Sequence, residues 1–355
     1  MIVPLEACIT ANYVKYEKLA PIVAEAFAGS TDTYLDIYID MNSVIRSLYN
    51  SNYNIEINNY KSLTSCIINM CGHYRDYFRR YLGVNTSIYI VMSNNCNEIN
   101  RKYVAEYNKS FLYKTHTNTM ITNLIKDNLE LINYLAMYLP NIYLIQSEFE
   151  TASVISSLID IRKREGSNNP NLIITRDMMN MQLLYTHNKT AILRPTKFQN
   201  QDNSYIIGPF DDSNIQLYWN YFDNVADSKS NKPMENIHPI NTPLLMALIG
   251  WKKRNLNNIF NIKKAKDYIY NCVGDKPVRC SVKTLFEINP ELSNKVSWTT
   301  VESRYKALDI SFQKSLYENS IEYKMINFTD LINPKAVKMV NDKMFFDNPI
   351  DLDRL

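Results

Sequence analysis

The 355-residue chain has few of the short patterns that assign a chemistry. Its six cysteines, Cys8, Cys66, Cys71, Cys96, Cys272 and Cys280, contain no CxxC pair, and none has a histidine at zinc spacing. That excludes a structural zinc and a disulfide framework as readings and leaves reduced thiols. The four histidines, His73, His116, His187 and His238, are scattered and read as ordinary surface or core residues. No run of about 18 apolar residues occurs, so no membrane partner is expected. Residues Met1 to Thr10 lack the basic start and long apolar stretch of a secretory signal, which points to a cytoplasmic, intracellular protein. A net charge of +3 is too small to announce nucleic-acid binding, so any such role must rest on local basic clusters. Seven glycines is a low count for this length. No repeat at solenoid periods is present.

What is present is an ordinary globular composition, 46% hydrophobic and 21% charged, with length enough for one large or two smaller cores. The abundance of Asn, Ile, Lys and Tyr suggests an AT-rich genome such as many viruses and phages have.

Along the chain, Tyr34 to Ile39 reads as a strand delivering Asp40-Met41-Asn42-Ser43 at its C-terminal end. Ser62 to Leu82 reads as a helix, Ser87 to Met92 as a strand, and Met120 to Tyr138 as a long helix stopped by Pro140. Ile142 to Ile145 is a short strand and Glu148 to Ile161 a helix. A polar loop, Arg162 to Pro170, leads into the apolar run Leu172 to Ile174, with Asp177 just past its end. Strands alternating with helices predict an α/β fold with a mostly parallel central sheet covered by helices. Thr190 to Leu193 and Ser204 to Ile207 could pair as a hairpin at the sheet edge. From Thr242 onward the chain reads mainly helical. The expected division is an α/β core over residues 1–211 with an N-terminal extension, and a mainly helical region over 212–355, the boundary lying softly between Asp212 and Pro243.

Several of these pieces, in this order, resemble the flap-endonuclease and PIN-like superfamily of 5′ nucleases, most closely its phage RNase H (5′→3′ exonuclease) branch. Tyr38-Ile-Asp40-Met-Asn42-Ser looks like the family's first-strand motif, whose Asp is a metal ligand. The run Ile142-Tyr-Leu-Ile-Gln-Ser-Glu-Phe-Glu150-Thr-Ala152-Ser153 is similar to the strand and Glu-Ala-Asp-Asp helix start. Glu150 matches there; Ala152 and Ser153 do not. Ile174-Thr-Arg-Asp177-Met-Met179-Asn-Met-Gln182-Leu resembles Ser-x-Asp-x-Asp-x-x-Gln-Leu, with Met179 in place of the second Asp. Leu248-Ile-Gly250-Trp251-Lys-Lys-Arg254 looks like the Gly-Asp-x-x-Asp segment that opens the DNA-binding helical motif, without either acid. In Asn258-Ile-Phe-Asn-Ile-Lys263-Lys264-Ala265 the hairpin glycines are missing, leaving a degenerate helix-turn-helix-type motif.

The resemblance implies a metal and catalytic set of Asp40, Glu150 and Asp177, with Asp36 and Glu148 as neighbours. Two-metal phosphodiester hydrolysis holds two dications about 4 Å apart. Ala152 and Met179 bring no hard oxygen, Ser153 only a neutral hydroxyl, Asn94 stands where an acid is common, and Trp251 puts an aromatic in a ligand's place. Three carboxylates could still hold a single Mg²⁺ completed by water. Asp40 and Asp177 read equally well as helix N-caps, and Glu150 as a residue beside the positive end of a helix dipole. The basic residues Lys252, Lys253, Arg254, Lys263 and Lys264, with Lys266, read as a phosphate-contacting surface or as a solvated helical face, and phosphate contact is the favoured expectation. Arg101, Lys102 and Lys109, interleaved with tyrosines, look like the family's arch, which clamps single strands.

The leading expectation is a phage or viral flap-endonuclease-like protein with a degenerate metal site, acting by binding DNA, an RNA–DNA hybrid, or a replication or virion protein. One alternative is an active Mg²⁺-dependent 5′ nuclease with Arg101 or Lys109 on the scissile phosphate. Another is a structural or assembly protein that binds no nucleic acid.

Overall fold

Strands form where short runs of Ile, Leu, Tyr and Val are bounded by polar residues, and the runs are apolar on both faces because helices cover both faces of a parallel sheet. The computed structural model describes residues 34–41, 71–72, 74–93, 141–147, 150–175, 177–186, 189–194, 205–207, 238–250, 256–274, 276 and 278–312. Its sheet comprises β1 (Tyr34–Asp40), β2 (Asn85–Ser93), β3 (Ile142–Ser147), β4 (Asn171–Ile174), β5 (Thr190–Arg194) and β6 (Tyr205–Ile207), in the order β3-β2-β1-β4-β5-β6. The first five are parallel and β6 returns antiparallel along β5, which is the expected edge hairpin. The expected α/β class, a mostly parallel sheet with helices, is observed.

Residues 74–82 are helical, as are 71 and 72, in agreement with the C-terminal half of the helix read over 62–82. Helix α1 (Thr151–Arg164) starts three residues later than expected, because Glu150 takes the extended N-cap conformation (φ −62°, ψ 138°) instead of joining the helix. Its last turn carries Arg162, Lys163 and Arg164, which suits the negative end of the helix dipole. The expected helix over Met120–Tyr138, the basic and aromatic stretch around Arg101, Lys102 and Lys109, the segment Trp251–Arg254, residue Asn94 and most of the 212–243 boundary lie outside the described residues.

Register stacks one side chain from each of three strands. Tyr38, Tyr89 and Tyr143 face one another in the β1–β2–β3 ladder, with ring centroids 4.9 and 5.1 Å apart. These separations are close to the spacing of neighbouring strands, about 4.8 Å, so the rings follow the pleat without tilting far from it. Beside this ladder Asp36 is buried. Asn169 Nδ2 donates to its Oδ1 at 3.1 Å, and Arg162 Nε lies 3.7 Å from its Oδ2.

Burial raises the Asp36 carboxyl above its ordinary value of 3.8, against the opposing effects of Asn169 and Arg162. The folded chain therefore holds this proton more tightly than the unfolded chain, so the associated stability is complete below about pH 4 and is lost as pH rises through the folded-state value. Asp36→Asn keeps an acceptor for Asn169 and removes the titration. It is expected to flatten stability between pH 4 and neutrality, as measured by urea midpoints, without lowering it at pH 7; a loss at pH 7 would mean that Arg162 outweighs burial.

The C-terminal helices are α2 (Leu183–Thr186), α3 (Thr242–Ile249), α4 (Ile262–Val273), α5 (Val282–Ile288) and α6 (Trp298–Leu308). Helix α3 is buried from Thr242 through Leu248, and an all-round apolar helix of this kind belongs inside a core. It packs between α4, α6 and the 3₁₀ turn Met178–Gln182, so one continuous apolar cluster runs from Tyr38 and Ile173 in the sheet to Leu245 and Leu308. Side-chain caps start three of these helices, each accepting from the third residue onward: Asn261 from Lys264 N, Ser281 from Thr284 N, and Ser297 from Thr300 N. Arg304, buried, donates to the carbonyls of Ala247 and Asn257 and joins α6 to the end of α3.

Candidate functional site

In a sheet ordered 3-2-1-4-5 the succession of strands reverses at β1, and the crevice beyond the C-terminal ends of β1 and β4 is where such sheets place ligands. Asp40 is the last residue of β1, and Thr175 directly follows β4, its amide continuing the ladder onto Leu193 O at 3.1 Å. The chain beyond Thr175 braces itself. Thr175 Oγ1 accepts from Asp177 N at 2.9 Å, Asp177 Oδ1 accepts from Met179 N at 2.9 Å, and Asn180 N donates to Asp177 O at 3.2 Å. Short polar side chains that hydrogen-bond the backbone two residues on turn the strand directly into the 3₁₀ turn.

The capping role open for Asp177 is thus realised: it is the N-cap of Met178–Gln182. Asp40, 1% exposed, is held differently. Thr175 Oγ1 donates to its Oδ2 at 2.7 Å, and Asn180 Nδ2 approaches the same oxygen at 3.5 Å. Glu150 stands at the N-cap position of α1 with no side-chain cap bond, and is buried. The helix that Glu150 starts packs on β1 and β2. Asp36, on the same face of β1 as Asp40, lies four residues back along the strand, about 13 Å at the usual rise, and so at the opposite end of the sheet.

The structure therefore brings Asp40 and Asp177 to one edge through Thr175 and Asn180. Among the described residues no group of three or more His, Cys, Asp or Glu side chains is placed to hold a metal ion. The donors at hand fit such an ion poorly. One oxygen of Asp40 and one of Asp177 already accept protein hydrogen bonds, and Met179, where a second carboxylate was expected, is 1% exposed in the core cluster. Ala152 and Ser153 are buried in the first turn of α1.

Three residues that shape this edge are not singled out as site residues by the sequence. Thr175 and Asn180 are short polar residues directly after a buried strand, the usual signature of a turn, and that pattern could have drawn attention to them. Gln182, part of a motif only, is buried. Its Nε2 donates to Leu308 O at 2.8 Å and its Oε1 accepts from Ile310 N at 3.1 Å, fastening the turn to the end of α6.

The second expected feature is basic. Between Trp251 and Phe312 the sequence carries twelve Lys and Arg against six Asp and Glu, a surplus of six, although the whole chain has a surplus of only three. The rest of the chain is therefore net acidic. Lys263 and Lys264 are exposed in the first turn of α4, a turn without acidic residues. Cations there oppose the helix dipole, so their placement is not explained by the helix's own stability. Lys264 Nζ lies 5.6 Å from the centroid of the Tyr268 ring. No helix among the described residues is long and apolar enough to cross a membrane.

No protein-family profile and no curated protein matches the chain. Among solved structures, the bacteriophage T5 flap endonuclease in complex with DNA and metal ions is similar over 87% of this chain and 98% of that one, at 11% identity and a TM-score of 0.48. A T5 5′-exonuclease with bound zinc is similar over the same shares, at 11% identity and a TM-score of 0.47. The catalytic core of Rad2 in complex with DNA substrate is similar over 88% of this chain and 85% of that one, at 12% identity and a TM-score of 0.38.

Proposed function

We propose that this chain is a flap-endonuclease-like protein of phage or viral origin that binds nucleic acid and has lost metal-dependent phosphodiester cleavage. A contrast carries the reading. At the β1–β4 edge the surviving carboxylates are engaged by neighbouring donors of the chain itself, whereas the sequence from Trp251 to Phe312 carries a basic surplus, with Lys263 and Lys264 set against a helix dipole. A phosphate at the start of α4 would meet two ammonium groups and the positive end of the helix, and would convert an unfavourable placement into a favourable one. The flanking Lys252, Lys253 and Arg254 extend the same basic stretch in sequence.

The test is fluorescence anisotropy on flapped DNA, duplex DNA and RNA–DNA hybrid over a salt series. Affinity should fall steeply with salt, and replacing Lys263 and Lys264 together with alanine should reduce the log–log slope by about 2. An unchanged slope would remove this surface from the proposal. In parallel, the same substrates with Mg²⁺ or Mn²⁺ should stay intact; robust cleavage abolished by Asp40→Ala would show an active nuclease.

A further inference from the structure

Three oxygens converge on the side-chain amide nitrogen of Asn180: Thr175 Oγ1 at 3.0 Å, the Asp177 carbonyl at 3.4 Å and Asp40 Oδ2 at 3.5 Å. They are a hydroxyl, a backbone carbonyl and a carboxylate, all hard donors of the kind that hold Mg²⁺, Ca²⁺ or Mn²⁺. Asn180 has no solvent exposure. Its orientation is dictated by its neighbours. Thr175 Oγ1 has already given its hydrogen to Asp40 and accepts from Asp177 N, so it turns a lone pair toward Asn180, as do the other two oxygens. Only the NH₂ end of the amide can face three acceptors; the opposite end, Oδ1, has no hydrogen-bond partner among the described residues. Two amide hydrogens shared among three oxygens at 3.0–3.5 Å give longer contacts than the usual N–H···O distance of about 2.9 Å.

We propose that Asn180 is a built-in occupant of a cation cage: its amide NH₂ stands where an ion would be held by Asp40, Thr175 and the Asp177 carbonyl, and donates to Asp40 in place of that ion. A buried carboxylate needs donors or a cation, and here the donors come from within the chain. The inference deepens the loss of metal chemistry proposed above and rests on it. It also specifies a single reversal. Asn180→Asp replaces the donor with a carboxylate, which joins the Asp40 carboxylate, the Thr175 hydroxyl and the Asp177 carbonyl around the same point, a hard-oxygen set that requires a cation to balance it.

The experiment is thermal unfolding of the full-length protein, wild type and Asn180→Asp, in EDTA and in millimolar Mn²⁺, with Mn²⁺ binding followed by electron paramagnetic resonance. The wild type should bind no Mn²⁺ and keep its Tm. In EDTA the variant should lose about 5 °C or more, and Mn²⁺ should restore most of it. Saturable Mn²⁺ binding by the wild type, abolished by Asp40→Ala, would overturn the proposal, as would a variant with unchanged Tm and no Mn²⁺ response. If Asn180→Asp does not fold, Asn180→Ala vacates the cage without adding charge. A Mn²⁺-induced rise in the Tm of that variant supports the proposal, and its absence overturns it. No nucleic acid enters these measurements, so cleavage in the nuclease assay and failure of the amide replacement are separate results.

Discussion

Gly250→Ala should cost this protein most of its stability. Gly250 closes α3 with φ 71° and ψ 170°, a backbone conformation that is essentially restricted to glycine. Holding that region costs about 1–3 kcal/mol for any other residue. Space adds a second cost, because a Cβ there would stand 2.6 Å from the Leu256 oxygen and the Asn257 carbonyl carbon, and closer still to the Asn257 oxygen. Those atoms belong to backbone and cannot swing away as a side chain would. Moving them strains the two hydrogen bonds by which Ile259 N and Phe260 N reach Leu248 O, and the contact from Arg304 to Asn257 O, each worth about 1 kcal/mol or somewhat more. The sum is on the order of 4–6 kcal/mol, comparable to the whole stability of many domains. Gly274 supplies the control. It also has positive φ, 58°, but a Cβ there meets nothing within 4 Å, so Gly274→Ala should show the conformational cost without the clash. Urea midpoints for the two variants measure the difference, and equal losses would refute the steric half of the effect.

How much of this is legible in the sequence depends on the range of the interaction concerned. The five parallel strands are readable because each is a short apolar run with polar ends, and Asp177 is readable as a cap because its partner, Met179 N, is two residues away. The start of α1 lies three residues beyond the expected one because Glu150 favours a helix by composition but here holds the extended N-cap conformation. Sequence groups Asp36 with Asp40 as a neighbour, since alternate residues of a strand share a face; the distance along the strand separates them. Metal binding and capping look alike for Asp40 in sequence, because its contacts are non-local: the amide of Asn180, 140 residues away, reaches Asp40 only once β1 and β4 have paired. The role of Gly250 is equally hidden, for its close approach is to the backbone of Leu256 and Asn257, which sequence does not place beside it.

A large effect is also expected at Gln182, which joins the turn beneath the candidate site to residues 308–310. Gln182→Ala should lower stability by about 2–6 kcal/mol, because it leaves the Leu308 carbonyl and the Ile310 amide without their partner in a dry environment, at about 1–3 kcal/mol each. Both Leu308 and Ile310 are buried, so water cannot readily replace the lost contacts. Gln182→Glu separates the two halves of the interaction. It keeps an acceptor for Ile310 N but sets a carboxylate oxygen against the Leu308 carbonyl, now 2.8 Å from the amide nitrogen, where only a donor is tolerated. The variant should therefore be weakest at neutral pH and recover as acid protonates the new carboxyl, since the folded state then holds the proton more tightly than the unfolded one. The location of the damage is specific as well. Amide exchange should accelerate first at residues 308–312, where α6 is tied to the turn, and later in β1, β2 and β4, whose pairing does not involve Gln182. Uniform acceleration across the sheet and helices would mean that the C-terminal helices and the sheet open as one unit, with Gln182 an ordinary member of their shared core.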